Sequence, residues 1–131
     1  MKTHYLLLSL LILTMVMVGC GVKKQTVINN SIIGSWEGCD GRVITFTQEG
    51  DSILGHYTKL NGLERFGFTQ NEIGYKLIRE SVGSYTGQVK WRAINIKEPT
   101  WRAVKVSIHE NTYQDIGSDR CGREMTRIKE K

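Results

Sequence analysis

The stretch SYTGQVKWRAINIKEPTWRAVKVSI, residues 84–108, decides the fold of this chain. Apolar and polar side chains alternate in both of its halves, a period of two that is typical of β-strands with one buried face. A symmetric connection through 95–100 would place Trp91 opposite Val104 on the apolar face, with Lys, Arg, Gln and Thr on the other face. Pro99, the only proline, falls in that connection, where its missing N–H donor is harmless. The stretch therefore predicts an antiparallel hairpin.

The same alternation extends over residues 31–131, with Gly, Asn and Asp between short apolar runs. A second hairpin, turning at Gln70-Asn71, would pair Phe68 with Ile73 on an apolar face. The candidate strands are 31–37, 42–47, 52–59, 63–69, 72–79, 84–94, 101–108, 112–116 and 122–128. Short strands at a spacing of roughly ten residues predict an all-β, antiparallel up-and-down β-barrel of about eight or nine strands.

The first twenty residues, MKTHYLLLSLLILTMVMVGC, indicate an export signal. Lys2 precedes an apolar run over 6–18, which is shorter than the roughly 20 residues that a membrane-spanning helix needs. The run ends in MVGC at 17–20, which resembles the lipobox of bacterial lipoproteins, with Met17 where Leu is more usual. The resemblance implies cleavage before Cys20, a diacylglyceryl thioether on its sulfur and acylation of the new N-terminus. A plain signal peptide or an uncleaved anchor is the alternative.

These features divide the chain into three parts: a signal peptide at 1–19, the lipidated Cys20 with a polar tether at 20–30, and a β-barrel domain at 31–131. Two or more acyl chains anchor a protein stably, whereas one binds a membrane only marginally. Gly21, in place of Asp, resembles the pattern of sorting to an outer membrane. We therefore expect a lipid-anchored protein that faces the periplasm if the cell has two membranes.

The cysteine count is odd, with three in the chain. With Cys20 assigned to lipid, Cys39 and Cys121 remain, and disulfides persist in compartments outside the cytoplasm. Cys39 follows the first candidate strand and Cys121 precedes the last, and these two strands are neighbours in a closed barrel. We therefore expect a Cys39–Cys121 disulfide. The alternative, a metal-binding or nucleophilic cysteine, has less support because metal sites need clustered ligands, and His56 and His109 are scattered.

A family resemblance rests on several short motifs in a fixed order. They are GSWEG at 34–38, GHY at 55–57, YTGQV at 85–89, Trp101, Cys121-Gly122 and Arg127. This order is similar to that of small bacterial lipocalin-like (calycin-type) β-barrel envelope lipoproteins, over about 34–128. The resemblance implies that Trp36 closes one end of the barrel. It also implies that the guanidinium of Arg127 packs over the Trp36 ring, a cation–π contact of about 0.5–2 kcal/mol.

The motifs of catalysis and of cofactor binding are missing. The sequence has no Gly-rich phosphate loop, no Gly-x-Ser-x-Gly elbow and no metal-spaced histidines. We therefore predict a protein that is not an enzyme, with no catalytic residues, no metal and no cofactor. The net charge of +5 and the repeated Trp-Arg-Ala at 91–93 and 101–103 suit an acidic envelope partner. A solvated sheet face explains them better, because the predicted register turns Trp91 inward and places Trp101 on the other face. Nucleic acid is not expected as a partner of an exported protein.

Three functions remain open for such a barrel. The first is binding of a small apolar molecule, a lipid or a glycan, by residues that the sequence does not identify. The second is inhibition or assembly through a protein–protein surface, and the third is a purely structural envelope role. The size of the cavity separates the first two, because a barrel filled by Phe66, Phe68, Tyr75 and Trp91 would leave no room for a ligand, and a cavity of a few hundred Å³ would hold one.

Overall fold

The computed structural model describes residues 29–131, together with Gly19 and Gly21. The predicted signal peptide, Cys20 and the predicted tether up to residue 28 otherwise lie outside the described residues. The strands are β1 (Gly34–Gly38), β2 (Val43–Glu49), β3 (Ser52–Lys59), β4 (Ile73–Ser81), β5 (Ser84–Trp91), β6 (Thr100–His109), β7 (Thr112–Ile116) and β8 (Glu124–Arg127). One short 3₁₀ helix, Leu63–Phe66, lies between β3 and β4. In the described part of the chain, no helix is long and apolar enough to cross a membrane.

The eight strands form one closed barrel in which every strand pairs antiparallel with its neighbours in sequence. Closure comes from β1 and β8, where Trp36 lies opposite Arg127. The predicted all-β, up-and-down barrel is therefore confirmed, with eight strands. Inward-facing residues alternate with outward-facing ones, and the interior is a continuous apolar core that includes Phe46, Tyr75 and Tyr113.

The hairpin of β5 and β6 forms, but its predicted register is wrong by four residues. Val104 pairs with Gly87, and Trp91 pairs with Thr100. The chain reverses direction earlier than predicted, because Ile96 N–H donates to the Ala93 carbonyl and closes a tight turn there. Because four is an even number, each residue keeps its predicted face of the sheet.

The predicted strand 63–69, and with it the hairpin at Gln70-Asn71, is wrong. Two glycines in left-handed conformation, Gly62 (φ 106°) and Gly67 (φ 93°), bracket the 3₁₀ helix and break the extended backbone. Ile73 pairs instead with His56 of β3. Nine candidate strands thus become eight, and the residues between β3 and β4 form a long loop at one end of the barrel.

The two ends of the barrel differ. At one end, which we call the closed end, the turns between β2 and β3, between β4 and β5 and between β6 and β7 are short, and residues 29–33 pack across them. At the opposite end, which we call the open end, lie the turn 39–42 and three loops, 60–72, 92–99 and 117–123. Loops at one end of a rigid barrel are the common location of a binding site, so the open end is the candidate location here.

Candidate functional site

The closed end is sealed by Trp36. This side chain is fully buried, and its Nε1 donates a 2.8 Å hydrogen bond to the Ile32 carbonyl. The Arg127 guanidinium lies over the indole, with Cζ 4.2 Å from the ring centre, which is the arrangement that the lipocalin resemblance implies. Arg127 also donates to the carbonyls of Ser31, Ile33 and Glu110. These contacts hold β1, β8, the segment 29–33 and the turn between β6 and β7 together at this end.

A disulfide ties together two segments at the open end. Cys39 follows β1 and Cys121 precedes β8, and the two sulfurs are bonded across a sequence separation of 82 residues. The predicted Cys39–Cys121 bridge is thereby confirmed. It joins the turn 39–42 to the loop 117–123, so both segments have a fixed position at the rim of the barrel.

Beside the disulfide, one buried guanidinium holds two carboxylates. The Arg42 side chain is only 6 % exposed and donates to Asp40 through Nε and Nη2, at 2.8–3.0 Å. It also donates to both oxygens of Asp119, through Nη1 and Nη2 at 2.8 Å. Burial opposes ionisation of Asp40, but the hydrogen bonds and charge of Arg42 outweigh it and lower the pKa of the Asp40 carboxyl. The cluster therefore fastens the same two segments as the disulfide.

A cavity of about 260 Å³ opens between these loops. Its walls are mostly aromatic and aliphatic, with a few charged groups at the rim. The lining residues are Arg42, Tyr57, Leu63, Phe66, Phe68, Tyr75, Val89, Lys90, Trp91, Arg92, Ser118 and Asp119. Phe66 and Trp91, which the sequence placed inside the barrel, are only partly buried and form its walls. Apolar walls with a small number of polar groups are the usual character of a small-molecule site.

Tyr57 presents its hydroxyl to this cavity. The residue is only 2 % exposed, and its ring centre lies 4.8 Å from that of Phe68. Its hydroxyl makes no hydrogen bond with another described residue; water reaches it through the cavity, because no described side chain has a polar atom that is both sealed from water and unpaired. Gly74 makes room for the ring, because a Cβ at that position would lie 2.2 Å from Tyr57 Cε2. Burial raises the pKa of Tyr57, so the hydroxyl keeps its proton and remains a donor.

The two tyrosines that lie deeper are satisfied. Tyr113 donates 2.7 Å to Asp115, and Ser118 donates to the same carboxylate through its hydroxyl and its backbone N–H. Tyr75 shares a 3.0 Å hydrogen bond with Ser118. Asp115 points into the barrel, because β7 pairs with β6 in a register that sets it opposite the buried Val106. Burial raises the pKa of Asp115 despite these hydrogen bonds.

The wall formed by the end of β5 carries surplus positive charge. Arg92 donates to Glu72 at 2.7 Å, and Lys90 Nζ lies 3.9 Å from the same carboxylate, too far for a hydrogen bond. Two cations thus share one carboxylate. Burial lowers the pKa of Lys90; Glu72 opposes this effect, while Arg92 and Lys76 add to it.

The two tryptophans of the Trp-Arg-Ala repeats lie on opposite faces of the sheet. Trp91 faces inward, where its Nε1 donates 3.0 Å to the Gly117 carbonyl, and Arg102 of the second repeat lies over its ring, with Cζ 4.0 Å from the ring centre. Trp101 lies on the outer face between Lys76 and Lys90, whose ammonium groups are 4.6 and 5.2 Å from its ring centre. The two tryptophans therefore do not form one continuous aromatic patch.

Sequence reasoning identified no ligand-binding residue and missed Arg42, Asp119 and Tyr57. A signal for the first two was present, because Asp40 and Arg42 lie within three residues of Cys39, and Asp119 lies within three residues of Cys121. Once the disulfide is assumed, these opposite charges must meet. Nothing in the local sequence marks Tyr57, because its position depends on the loop 60–72.

Comparisons with known proteins place no further constraint on the site. No family model matches the sequence, and neither the curated proteins nor the solved structures gave a match. The chain is an eight-stranded antiparallel closed barrel with a core of its own, and this architecture is compatible with a lipocalin-like fold.

Proposed function

We propose that the protein is a non-catalytic binding module of the bacterial envelope, lipid-anchored through Cys20, that takes a small apolar ligand into the open end of its barrel. The observation that carries this proposal is the aromatic-walled cavity of about 260 Å³. A carboxylate that lines it, Asp119, is already held by Arg42, so it is not free for acid–base chemistry.

The dimensions of the cavity narrow the class of ligand. Pockets for drug-sized molecules occupy roughly 300–1,000 Å³, and this one is slightly smaller at about 260 Å³. A whole lipid or an oligosaccharide would exceed it. The rings of Phe66, Phe68 and Trp91 offer flat apolar surface. A molecule with a single ring or a short branched chain fits best, among the apolar, lipid and glycan ligands that the sequence left open.

The attachment point of the proposed lipid determines which end of the barrel faces the membrane. Asn29 lies at the closed end, where Asn29 and Asn30 line a shallow depression together with Val82 and Tyr85. Cys20 precedes Asn29 by nine residues, which span at most roughly 30 Å when extended. A lipid on Cys20 would therefore hold the closed end near the membrane. The cavity would then open away from the membrane, toward the compartment that supplies the ligand.

The anchor is tested by mass spectrometry of the protein extracted from membranes. We expect a mature chain that begins at Cys20 and carries acyl groups, such as palmitate, because two or more chains are needed for stable anchoring. The Cys20→Ser variant should lose the acyl mass and leave the membrane fraction. An intact N-terminal Met1 without acyl groups would refute the lipid anchor.

Ligand binding is tested by calorimetric titration with 3-phenylpropan-1-ol, a neutral molecule with one ring. We expect a single saturable site on the wild-type protein. Val89→Phe should abolish it, because Val89 lines the cavity and is only 2 % exposed, so that the larger ring would take up cavity volume. Val82→Phe, at an exposed turn of the closed end, is the matched control and should bind as the wild type does. No saturable heat with the wild type would count against the proposal.

A protein–protein surface is the second candidate, and one observation favours it. Ile78 and Ile116, which are 55 % and 79 % exposed, lie in one row across the outer face of β4 to β7, with Thr86 and Lys105 between them. Exposed apolar side chains in a row suit a partner protein. If a protein co-purifies from envelope extract with the wild type, Ile78→Ser with Ile116→Ser should abolish its capture, while ligand titration is unchanged.

A further inference from the structure

Two polar groups at the cavity make no short hydrogen bond within the part of the chain that the structure describes. One is the hydroxyl of Tyr57, a residue that is 2 % exposed; water reaches this hydroxyl, because no described side chain has a polar atom that is both sealed from water and unpaired. The other is the ammonium of Lys90 at the rim, which lies 3.9 Å from a Glu72 oxygen and 5.2 Å from the ring centre of Trp101. Polar groups that are available at an apolar cavity indicate what would bind there.

The charges around the cavity are arranged unevenly. Near β1 and β8, Arg42 is bonded to both Asp40 and Asp119, so this cluster has one more negative than positive charge. At the end of β5, Lys90 and Arg92 share Glu72, so this second cluster has one more positive than negative charge. An acid group is thus attracted to the β5 side of the cavity and repelled from the opposite side.

We propose that the ligand is a small organic acid with a flat apolar body. Its ring lies among Phe66, Phe68 and Trp91, its carboxylate lies against Lys90, and the Tyr57 hydroxyl donates to one of its oxygens. This proposal rests on the proposed function and adds the charge of the ligand to it. An anion beside Lys90 would also oppose the burial that lowers the pKa of this ammonium.

The test compares three molecules with the same ring and chain and different charge. They are 3-phenylpropionate, 3-phenylpropan-1-ol and 3-phenylpropylamine, titrated calorimetrically at pH 7 and low salt. We expect the acid to bind at least tenfold more tightly than the alcohol, and the amine to bind most weakly. A charge-assisted hydrogen bond is roughly twice as strong as a neutral one, and it gains most where water is excluded.

Two variants identify the side chains that produce the preference for the acid and the binding of both oxygen-bearing probes. Lys90→Met keeps the length of the side chain and leaves Glu72 paired with Arg92, so it should reduce the preference for the acid to less than threefold. Lys105→Met, on the outer face of β6 and away from the cavity, is the matched control and should keep the tenfold preference. Tyr57→Phe should lower the binding affinity for the acid and for the alcohol alike, by at least threefold. Its midpoint of unfolding should not fall, because the hydroxyl has no partner to lose.

The outcomes separate this inference from the proposed function. If the alcohol binds as tightly as the acid, or the amine binds most tightly, the charge assignment is overturned while the cavity remains a ligand site. If none of the three molecules binds, the proposed function fails with it. A tenfold preference that survives Lys90→Met would also overturn the role given to Lys90.

Discussion

Replacing both bridged cysteines, Cys39→Ser together with Cys121→Ser, is expected to lower the free energy of unfolding by about 4 kcal/mol. The bridge closes a loop of 82 residues, and the chain-entropy relation for a loop of that length gives a stabilisation of about 4.5 kcal/mol. Small domains have only about 5–15 kcal/mol in total, so the variant should be close to unfolding at 37 °C. Urea denaturation followed by circular dichroism measures the change.

A reductant supplies the matched control for this experiment. Reduced wild-type protein should unfold at the same urea concentration as the double variant, and the double variant should not respond to reductant. A loss below about 1 kcal/mol would show that the barrel does not depend on the bridge. In that case β1 and β8 would be held by their ladder, and by the contact of Arg127 with Trp36, alone.

Arg42→Met is expected to cost about 2–3 kcal/mol at pH 7. Removing one partner of a fully buried ion pair costs roughly 3–5 kcal/mol, because the other charge is left without compensation. Here Asp40 and Asp119 are 31 % and 42 % exposed, so water solvates them in part and the cost is smaller. Arg120→Met, an exposed arginine of the loop 117–123, is the matched control and should change stability by less than about 0.5 kcal/mol.

The cost of Arg42→Met should depend on pH in a defined direction. Arg42 lowers the pKa of Asp40 below its ordinary 3.8 in the folded protein, so this contribution is present above pH 4 and is lost as the pH falls through the lowered value. The variant has no such contribution to lose, and protonation relieves its uncompensated carboxylates. The difference in stability between wild type and variant should therefore shrink between pH 7 and pH 2. A constant difference would contradict the role assigned to Arg42.

The strands could be predicted from the sequence because burial on one face produces alternation in the chain itself. Ser52–Lys59 and Thr112–Ile116 coincide with their predicted bounds. The register of β5 and β6 could not be predicted, because it depends on where one turn forms within a polar connection. The register error of four residues did not change which side chains face inward, because a shift by an even number keeps each residue on its face of the sheet.

Apolar content alone misled the prediction at residues 63–69. Leu63, Phe66 and Phe68 do contribute to the apolar interior and the walls of the cavity, but from a 3₁₀ turn and a loop rather than a strand. Gly62 and Gly67 carried the information that the backbone leaves the extended region there. The loop that results covers Tyr57 and shapes the cavity, so the same residues that were assigned to the wrong element create the candidate site.

The charged part of the site could not be predicted from the sequence, for a different reason. Glu72 and Lys90 are eighteen residues apart, and they meet only because β4 pairs with β5 in the observed register. The exposure of the Tyr57 hydroxyl to the cavity depends on several loops at once and has no local sequence signal. A disulfide, in contrast, could be inferred because export, an odd cysteine count and strand adjacency all restricted the choice to Cys39 and Cys121.

The central claim is that the open end of the barrel is a ligand site, and nuclear Overhauser contacts between protein and probe test it most directly. With 3-phenylpropionate bound to isotope-labelled protein, we predict contacts from the phenyl protons to the rings of Phe66, Phe68 and Trp91. Contacts only to the outer row of Ile78 and Ile116, or no intermolecular contacts at saturating probe, would contradict the claim.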